Sequence, residues 1–319
     1  MSSEIIPGLD TMALAERAWH GHGTLVGRQM SYAEAIPLAG LDWTAQLAPV
    51  TALTANGVTE VPTHRATYRS DTGAVLGVVG ADYAPHQPAD LLELARLTVD
   101  AGPTDAHVEV LGTLRGGRIL FITIALPGDV VIAGDVHMPR LVWVTSMDGT
   151  LATRAVATMV RAVCWNTIRA SFRTARTSWA ARHTSSLTGR AAEARRALEL
   201  TWKVSDSFRD EVEALTRQTI TDRQADQVIG VLWPDDPAAS ARTRASAARR
   251  RDQVRRIYLG DDPRVGWRGT AYGVVQAVST WELWDSPRRG DRGEQVLTGL
   301  FAGTTSKANQ AAEIAAALA

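Results

Sequence analysis

His107–Leu126 reads HVEVLGTLRGGRILFITIAL, and this stretch decides the fold of the first half of the chain. Two runs of strand-forming residues flank the pair Gly116 and Gly117, and the second run is rich in β-branched side chains. A Gly-Gly pair between two such runs predicts a hairpin, because glycine adopts the positive φ values of tight turns at little cost. The stretch therefore predicts two neighbouring antiparallel strands.

The same pattern occurs on both sides of this stretch. His64–Gly80 (HRATYRSDTGAVLGVVG) is broken by Asp71–Gly73, and Arg140–Met159 (RLVWVTSMDGTLATRAVATM) is broken by Asp148–Gly149. Three hairpins predict up to six strands, mostly antiparallel. Between the first two hairpins, Gln87–Gly102 (QPADLLELARLTVDAG) has a leucine stripe at helical spacing, so it predicts a helix packed on the sheet. The predicted class is α+β.

After residue 190 the chain changes character, because amphipathic stretches rich in alanine and charge replace the hairpins. We predict an α+β domain with hairpins and a basic helix over residues 1–190, and a mostly helical region over residues 191–319. Pro287–Glu294 is predicted to be a mobile loop. The predicted helical segments are Gly189–Gln218, Asp236–Gly260, Gly269–Pro287 and Ser306–Ala319.

The composition excludes several classes of protein. The chain has 319 residues, 45% of them hydrophobic, and its 34 basic and 34 acidic residues cancel, so any attraction to phosphate must come from local clusters of charge. One cysteine, Cys164, excludes an internal disulfide and a cysteine-based zinc site. The start MSSEIIPGLD lacks the pattern of a signal peptide, and no run of about 18 apolar residues occurs. We expect a soluble cytoplasmic protein.

Val160–Thr184 (VRAVCWNTIRASFRTARTSWAARHT) is the most unusual stretch, since no Asp or Glu occurs anywhere from Gly149 to Gly189. Projected as a helix over Arg161–Ser178, one arc of about 120° mixes guanidinium groups with aromatic rings. Arginine binds phosphate oxygens bidentately, and exposed rings stack on bases. The stretch therefore predicts a surface for single-stranded nucleic acid. Its members are Arg161, Trp165, Arg169, Phe172, Arg173 and Arg176 on the arc, extended by Arg182 and His183.

Other interpretations of this stretch stay open. An arginine face also occurs on helices that meet only water, and Trp165 can pack beneath a neighbouring element. Cys164 and His183 could form a thiol–imidazole pair, in which the arginines lower the pKa of the Cys164 thiol. The helical projection instead places Cys164 beside the small face, where a free cysteine acts as an apolar filler.

His20 and His22 in AWHGHGT (Ala18–Thr24) have a spacing that can chelate a metal when both side chains point the same way. The other five histidines are scattered along the chain, so no third ligand can be named. A sharp turn in which Trp19 anchors the N-terminus is the interpretation we favour. The sequence therefore predicts no metal and no other cofactor.

Several phrases in a fixed order carry a resemblance to a known family: WHGHGT, YRSDTGAVLGVVG, LRGGRILFITIALPGD, SMDGT followed by VRAVCWNTI, and RHT. From about Trp19 to the helical C-terminal region, the chain resembles the phage/plasmid-like protein family, a domain of unknown function in bacteriophages, plasmids and integrated elements. The resemblance implies a mobile-element setting and supplies no activity. The layout of hairpins and helices is also similar in outline to single-strand annealing proteins, which is an analogy of fold alone.

Our leading hypothesis is a non-enzymatic protein that binds single-stranded DNA in recombination or replication. The alternative is a protein-interaction module, an adaptor or inhibitor of a host factor, with an arginine-rich contact face. The third hypothesis, an enzyme, would use Cys164 or a metal at His20 and His22. The choice between DNA and RNA and the presence of a homo-oligomer stay open.

Overall fold

The computed structural model describes residues 12–14, 24–25, 32–100, 105–132, 135–161, 167–169, 178–183, 192, 199, 208–260, 267–287 and 306–318. The strands are β1 (Met12–Leu14), β2 (Thr24–Leu25), β3 (Ala45–Thr54), β4 (Gly57–Arg69), β5 (Val75–Gly80), β6 (His107–Leu114), β7 (Ile119–Ala125), β8 (Val130–Ile132), β9 (Asp135–Ser146), β10 (Thr153–Arg161), β11 (Thr167–Arg169) and β12 (Ser178–Ala181). The helices are α1 (Tyr32–Leu38), α2 (Pro88–Asp100), α3 (208–217), α4 (Asp222–Leu232), α5 (Ala241–Leu259), α6 (Ala271–Thr280) and α7 (Lys307–Ala316), and a π-helical turn, Trp281–Asp285, directly continues α6.

The larger of two sheets contains most of the strands. Its order is β11-β10-β9-β7-β6-β1-β2, with β12 also paired to β10 and β8 to β9. These pairs are antiparallel except for β1 with β2. The smaller sheet has the order β3-β4-β5 and is antiparallel throughout. The predicted α+β class, with hairpins first and helices in the C-terminal part, is confirmed.

The three predicted hairpins are present because their turns hold residues that accept positive φ. Gly116 and Gly117, between β6 and β7, have φ of 70° and 91°. Gly149, between β9 and β10, has φ of 76°, and Gly73, between β4 and β5, has φ of 69°. Residues with a Cβ rarely adopt these values. The glycines thus allow each pair of strands to turn within a few residues.

The basic helix predicted over Arg161–Ser178 is wrong at every position of that stretch which the structure describes. Arg161 is the last residue of β10, and Thr167–Arg169 form β11, antiparallel to β10 with Thr158 opposite Arg169. The physical reason is that β9 covers only one edge of β10, so the backbone groups of the other edge need partners. β11 and β12 supply them, and this long-range pairing overrides the helix propensity of alanine and arginine.

One face of the larger sheet packs against α2. Trp143 on β9 lies opposite Ile122 on β7 and Ala155 on β10, so these three side chains point to the same face. They are buried in one apolar cluster with Leu91 and Ala95 of α2. This confirms the predicted helix between the first two hairpins and its leucine stripe.

The C-terminal helices cover the same face further along the strands. Ala157 and Met159 follow Ala155 at two-residue steps on β10, so they share its face. They belong to a second apolar cluster, which also contains Val130 and Ile132 of β8 and buried residues of the helices α3 to α7. The sheet and the helical region therefore share a core. The boundary predicted at residue 190 lies outside the described residues, as does the predicted loop beyond Pro287.

A polar contact joins the sheet to the helices inside this second cluster. His137 on β9 is fully buried, and its Nε2 lies 2.9 Å from the hydroxyl of Tyr272 on α6. The ring of Phe208 meets His137 edge-on, with the centroids 5.4 Å apart. A buried polar group without its partner costs free energy, so this bond fixes how α6 sits on β9.

Tyr272→Phe tests this contact, because it removes the hydroxyl and leaves the ring. We expect the free energy of unfolding to fall by about 1–3 kcal/mol, since His137 Nε2 loses this partner in the interior. Urea unfolding followed by circular dichroism measures the change. Tyr68→Phe on β4 is the matched control, because Tyr68 is only half-buried. Equal losses in both variants would contradict the role of the bond.

Candidate functional site

The structure describes four of the eight residues that were predicted to form one nucleic-acid surface. Arg161 and Arg169 lie on the paired strands β10 and β11. Arg182 directly follows β12 and is exposed, whereas His183 is only 6% exposed. Arg182 and His183 therefore do not share a surface. The remaining predicted residues, Trp165, Phe172, Arg173 and Arg176, lie outside the described residues.

The residues considered for thiol or metal chemistry lie outside the described residues as well. They are Cys164, His20 and His22. Within the part of the chain that the structure describes, no group of three or more His, Cys, Asp or Glu side chains could hold a metal ion.

His183 lies at the centre of a buried aromatic stack, which we call the histidine stack and which consists of Tyr83, His86 and His183. The centroid of the His183 ring is 4.2 Å from that of His86 and 4.8 Å from that of Tyr83, with interplanar angles of 26° and 16°. The N–H of Ala84 donates to the His183 carbonyl at 2.8 Å. The segment after β12 is thus tied to the segment before α2.

Hydrogen bonds link the histidine stack to the connection between β9 and β10. The hydroxyls of Thr145 and Thr153 are 2.7 Å apart, and His86 Nδ1 lies 2.6 Å from the Thr153 hydroxyl. His183 Nε2 lies 3.1 Å from the carbonyl of Leu151. A carbonyl only accepts, so Nε2 carries the proton and Nδ1 is the unprotonated nitrogen. Among the described residues, this Nδ1 has no hydrogen-bond partner.

The environment keeps the His183 ring neutral. Burial, together with the charge that His86 can carry, lowers the pKa of His183 to about 4. At pH 7 the ring is therefore uncharged and cannot attract a phosphate. Burial also raises the pKa of the Tyr83 hydroxyl, which donates to the Ser146 carbonyl at 2.7 Å. The histidine stack acts as an anchor of the chain and does not form part of a charged surface.

Turns and strands of the two sheets pack closely against each other. A Cβ added to Gly77 on β5 would lie 2.7 Å from Cβ of Asp148 in the β9–β10 connection. A Cβ added to Gly117, in the β6–β7 turn, would lie 3.1 Å from Nη1 of Arg69. Three of the phrases that carry the family resemblance contain the residues of these contacts: Arg69 and Gly77, Gly117, and Asp148. A fourth phrase, RHT, contains His183. The phrases thus mark contacts between the two sheets, which sequence reasoning had not identified.

Arg69 is the charged residue of this contact between the sheets. Its side chain is 7% exposed, and its guanidinium lies 4.5 Å from the ring centroid of Trp43. It donates to both carboxylate oxygens of Asp71, at 3.0 and 2.7 Å. The Arg69 guanidinium thereby holds the pKa of Asp71 below its usual range. A paired arginine of this kind serves structure, because its donors are already in use.

A pocket of about 410 Å³ opens beside a buried ion pair. Arg140 Nε and Nη2 donate to the Glu109 carboxylate at 2.7 and 2.8 Å, and both side chains are almost fully buried. Nη1 donates to the Pro139 carbonyl at 3.2 Å. Asp105 and Asp129 also line the pocket. The guanidinium and the carboxylate satisfy each other, so the pair stabilises the wall of the pocket.

The largest arginine cluster of the described residues lies on α5. This helix of 19 residues contains seven arginines and a single acid, Asp252. Val254 and Tyr258 bury its inner side in the second cluster. Six arginines are exposed, and we call them the α5 arginine face: Arg242, Arg244, Arg249, Arg250, Arg255 and Arg256.

Most of the α5 arginine face is available to a partner. Arg255 pairs with Asp226 of α4 at 2.8 Å, and Arg256 Nε donates to the Asp252 carbonyl. Within the described ranges, Arg242 and Arg249 form no ion pair. Positions seven apart lie on one side of a helix, about 10.5 Å from each other along its axis. Sequence reasoning had identified this segment only as an Ala/Arg-rich helix.

The lowered pKa of His183 predicts how stability depends on pH. The unfolded chain takes up the His183 proton near pH 6.5, whereas the folded chain takes it up only near pH 4. Stability therefore falls as the pH drops from 6.5 to 4, by up to about 3 kcal/mol, and this contribution is constant above and below that range. Urea unfolding at several pH values should show a smaller fall for His183→Gln than for the wild type.

His64→Gln is the control for this prediction, because His64 is exposed on β4. We expect its pH dependence to match that of the wild type. The carboxylates titrate in the same range in all three proteins, so only the difference between the curves is informative. Parallel curves for His183→Gln and the wild type would show that His183 titrates normally.

Comparison with known proteins identifies the family of the chain. No helix among the described residues is long and apolar enough to cross a membrane. A search of curated proteins and a search of solved structures found no match. The model of one family matches residues 75–300, which include the histidine stack, most residues of both clusters and the α5 arginine face. The chain therefore belongs to the family described as a domain of unknown function, DUF932.

Proposed function

We propose that this protein is a non-enzymatic nucleic-acid-binding protein of phage/plasmid-like elements, which holds single-stranded DNA during recombination or replication. The observation that carries the proposal is the α5 arginine face. Six exposed arginines and one acid on a single helix form a strong local excess of positive charge in a chain whose net charge is zero. Such an excess attracts phosphate, whereas the rest of the chain has the compensating negative charge.

The chemistry of the α5 arginine face suits a phosphate backbone. Guanidinium groups bind phosphate oxygens bidentately and keep their charge at any physiological pH. Arg242, Arg249 and Arg256 follow each other at seven-residue steps on one side of the helix. A rigid helix also holds these groups in place before binding, which lowers the entropy that binding costs.

The acid-free stretch from Gly149 to Gly189 is the second part of the proposal. Its exposed Arg182 supports a basic surface near β12. In our proposal Arg161, Arg169, Arg173 and Arg176 hold further phosphates, and Trp165 or Phe172 stacks on bases. His183 is left out of this surface, because it is buried and neutral.

The phage/plasmid setting rests on the order and spacing of the five sequence phrases. Proteins of mobile elements that are not structural components often handle DNA, and this general tendency supports the proposal without identifying a reaction. The resemblance in outline to single-strand annealing proteins concerns the fold alone.

Binding of a labelled oligonucleotide tests the α5 arginine face. Fluorescence anisotropy of a thymidine oligonucleotide, at about 50 and about 200 mM salt, should give an affinity that falls with salt. Arg249→Glu/Arg256→Glu should weaken binding and lower the log–log salt slope by about 0.7 for each lost contact. Arg169→Glu/Arg173→Glu tests the second surface in the same way.

The matched control is Arg65→Glu/Arg118→Glu, which makes the same change of net charge at two exposed arginines away from α5. We expect it to bind like the wild type at both salt concentrations. The proposal fails when the wild type does not bind at low salt. It also fails when the α5 variant and the control bind equally well, because the attraction would then not depend on the α5 arginine face.

A further inference from the structure

In the smaller sheet, the hairpin of β3 and β4 extends far beyond the segment that β5 covers. β5 pairs with β4 only between His64 and Tyr68, so the outer part of the hairpin has two strands. We call Thr51–Glu60 the arm. Every residue of the arm is exposed, although its register is regular, from Thr51 opposite Glu60 to Thr54 opposite Gly57. Two strands exposed on both faces bury little, so such a ribbon is marginally stable by itself in water.

The side chains of the arm are suited to contact with another protein surface, because two of them are apolar and exposed. Leu53 and Val58 lie directly opposite each other near the tip, 85% and 71% exposed. Their side chains share one face of the ribbon, because directly paired residues point to the same side. The only charged residue of the arm is Glu60. The arm therefore has no basic residue to attract a phosphate backbone, and its exposed Leu53 and Val58 favour an apolar partner.

The same chain offers a surface of matching chemistry on the smaller sheet. Ala66 on β4 lies between Ala48 on β3 and Val78 on β5, so these three residues share a face. Val78 is 56% exposed and Val75, on the same strand, is 61% exposed. We call this row, Ala48, Ala66, Val75 and Val78, the outer face. It contains no charged residue, and the arm contains only one, Glu60.

Two positions on the free edge of β3 are blocked against strand addition. The N–H and C=O of Ala45 bond to the side chain of Gln87, so they point away from β4. Directions alternate along a strand, so the nitrogen of Pro49 points to the same edge. Proline has no N–H to donate, and it occurs at edges where pairing is prevented. This part of the edge therefore offers little to a partner, whereas the faces of the sheet remain open.

We propose that the arm and the outer face form a self-association surface, in which the arm of one copy packs on the outer face of a second copy. A two-fold axis makes this exchange reciprocal, because each copy both inserts an arm and receives one. Leu53 and Val58 then lose their contact with water against Val75 and Val78 of the second copy. In this arrangement each copy contributes both surfaces, the ten residues of the arm and the outer face on β3, β4 and β5.

Sedimentation equilibrium tests the proposal over a hundredfold range of micromolar protein concentration. We expect the wild type to be a dimer. Leu53→Glu/Val58→Glu places two charges at the contact and should weaken association by at least about thirtyfold. Val78→Glu, on the receiving surface, should weaken it as well. Thermal melting of each variant checks that the monomer remains folded.

Val231→Glu is the matched control, because Val231 is 62% exposed on α4, outside the smaller sheet. It should dimerise like the wild type. A wild type that stays monomeric throughout the range overturns the proposal. An arm variant that dimerises as tightly as the control overturns it too. Dimerisation that survives Val78→Glu while the arm variant abolishes it would overturn the outer face as the receiving surface.

Discussion

The register of β9 is the constraint on which the rest of the structure depends. β9 pairs with β7, β8 and β10. One face of this strand carries Trp143 into the cluster beneath α2 and His137 to the hydroxyl of Tyr272 on α6. A slip by one residue would turn both side chains to the opposite face, because directions alternate with a period of two. One register therefore positions both the α2 layer and the C-terminal helices.

The positions of the charged groups follow from this core. Val254 and Tyr258 fix the inner side of α5, so the arginines of the other side must face solvent whether or not a ligand is present. At the end of β12, two neighbouring residues are divided in the same way. His183 lies in the interior as a neutral ring, and Arg182 is exposed to solvent. Buried arginines such as Arg69 and Arg140 are paired with carboxylates. The functional proposal rests instead on arginines that are exposed, above all those of α5.

The sequence predicted features whose cause is local. Gly116 and Gly117 define a turn through their own backbone, and the stripe of α2 follows from spacing within one helix. The sequence did not predict β11. Residues around Arg169 favour a helix by themselves, and pairing with β10, which is distant from them in local pattern, overrides that propensity. The histidine stack joins residues far apart in sequence, and no spacing rule connects His86 with His183. The sequence phrases of the family resemblance were the available signal for this part of the fold. They contain residues that hold the fold together and do not identify a binding site.

Pro49 limits what kind of assembly this chain can build. An uncharged ribbon with a free strand edge is a template on which further copies can add without end, as in fibres. The missing N–H in the middle of β3 interrupts that template, and Gln87 occupies the backbone of Ala45 at its base. Pairing along this part of β3 is thereby hindered, so the chain can expose an apolar hairpin next to an edge that resists open-ended addition of strands.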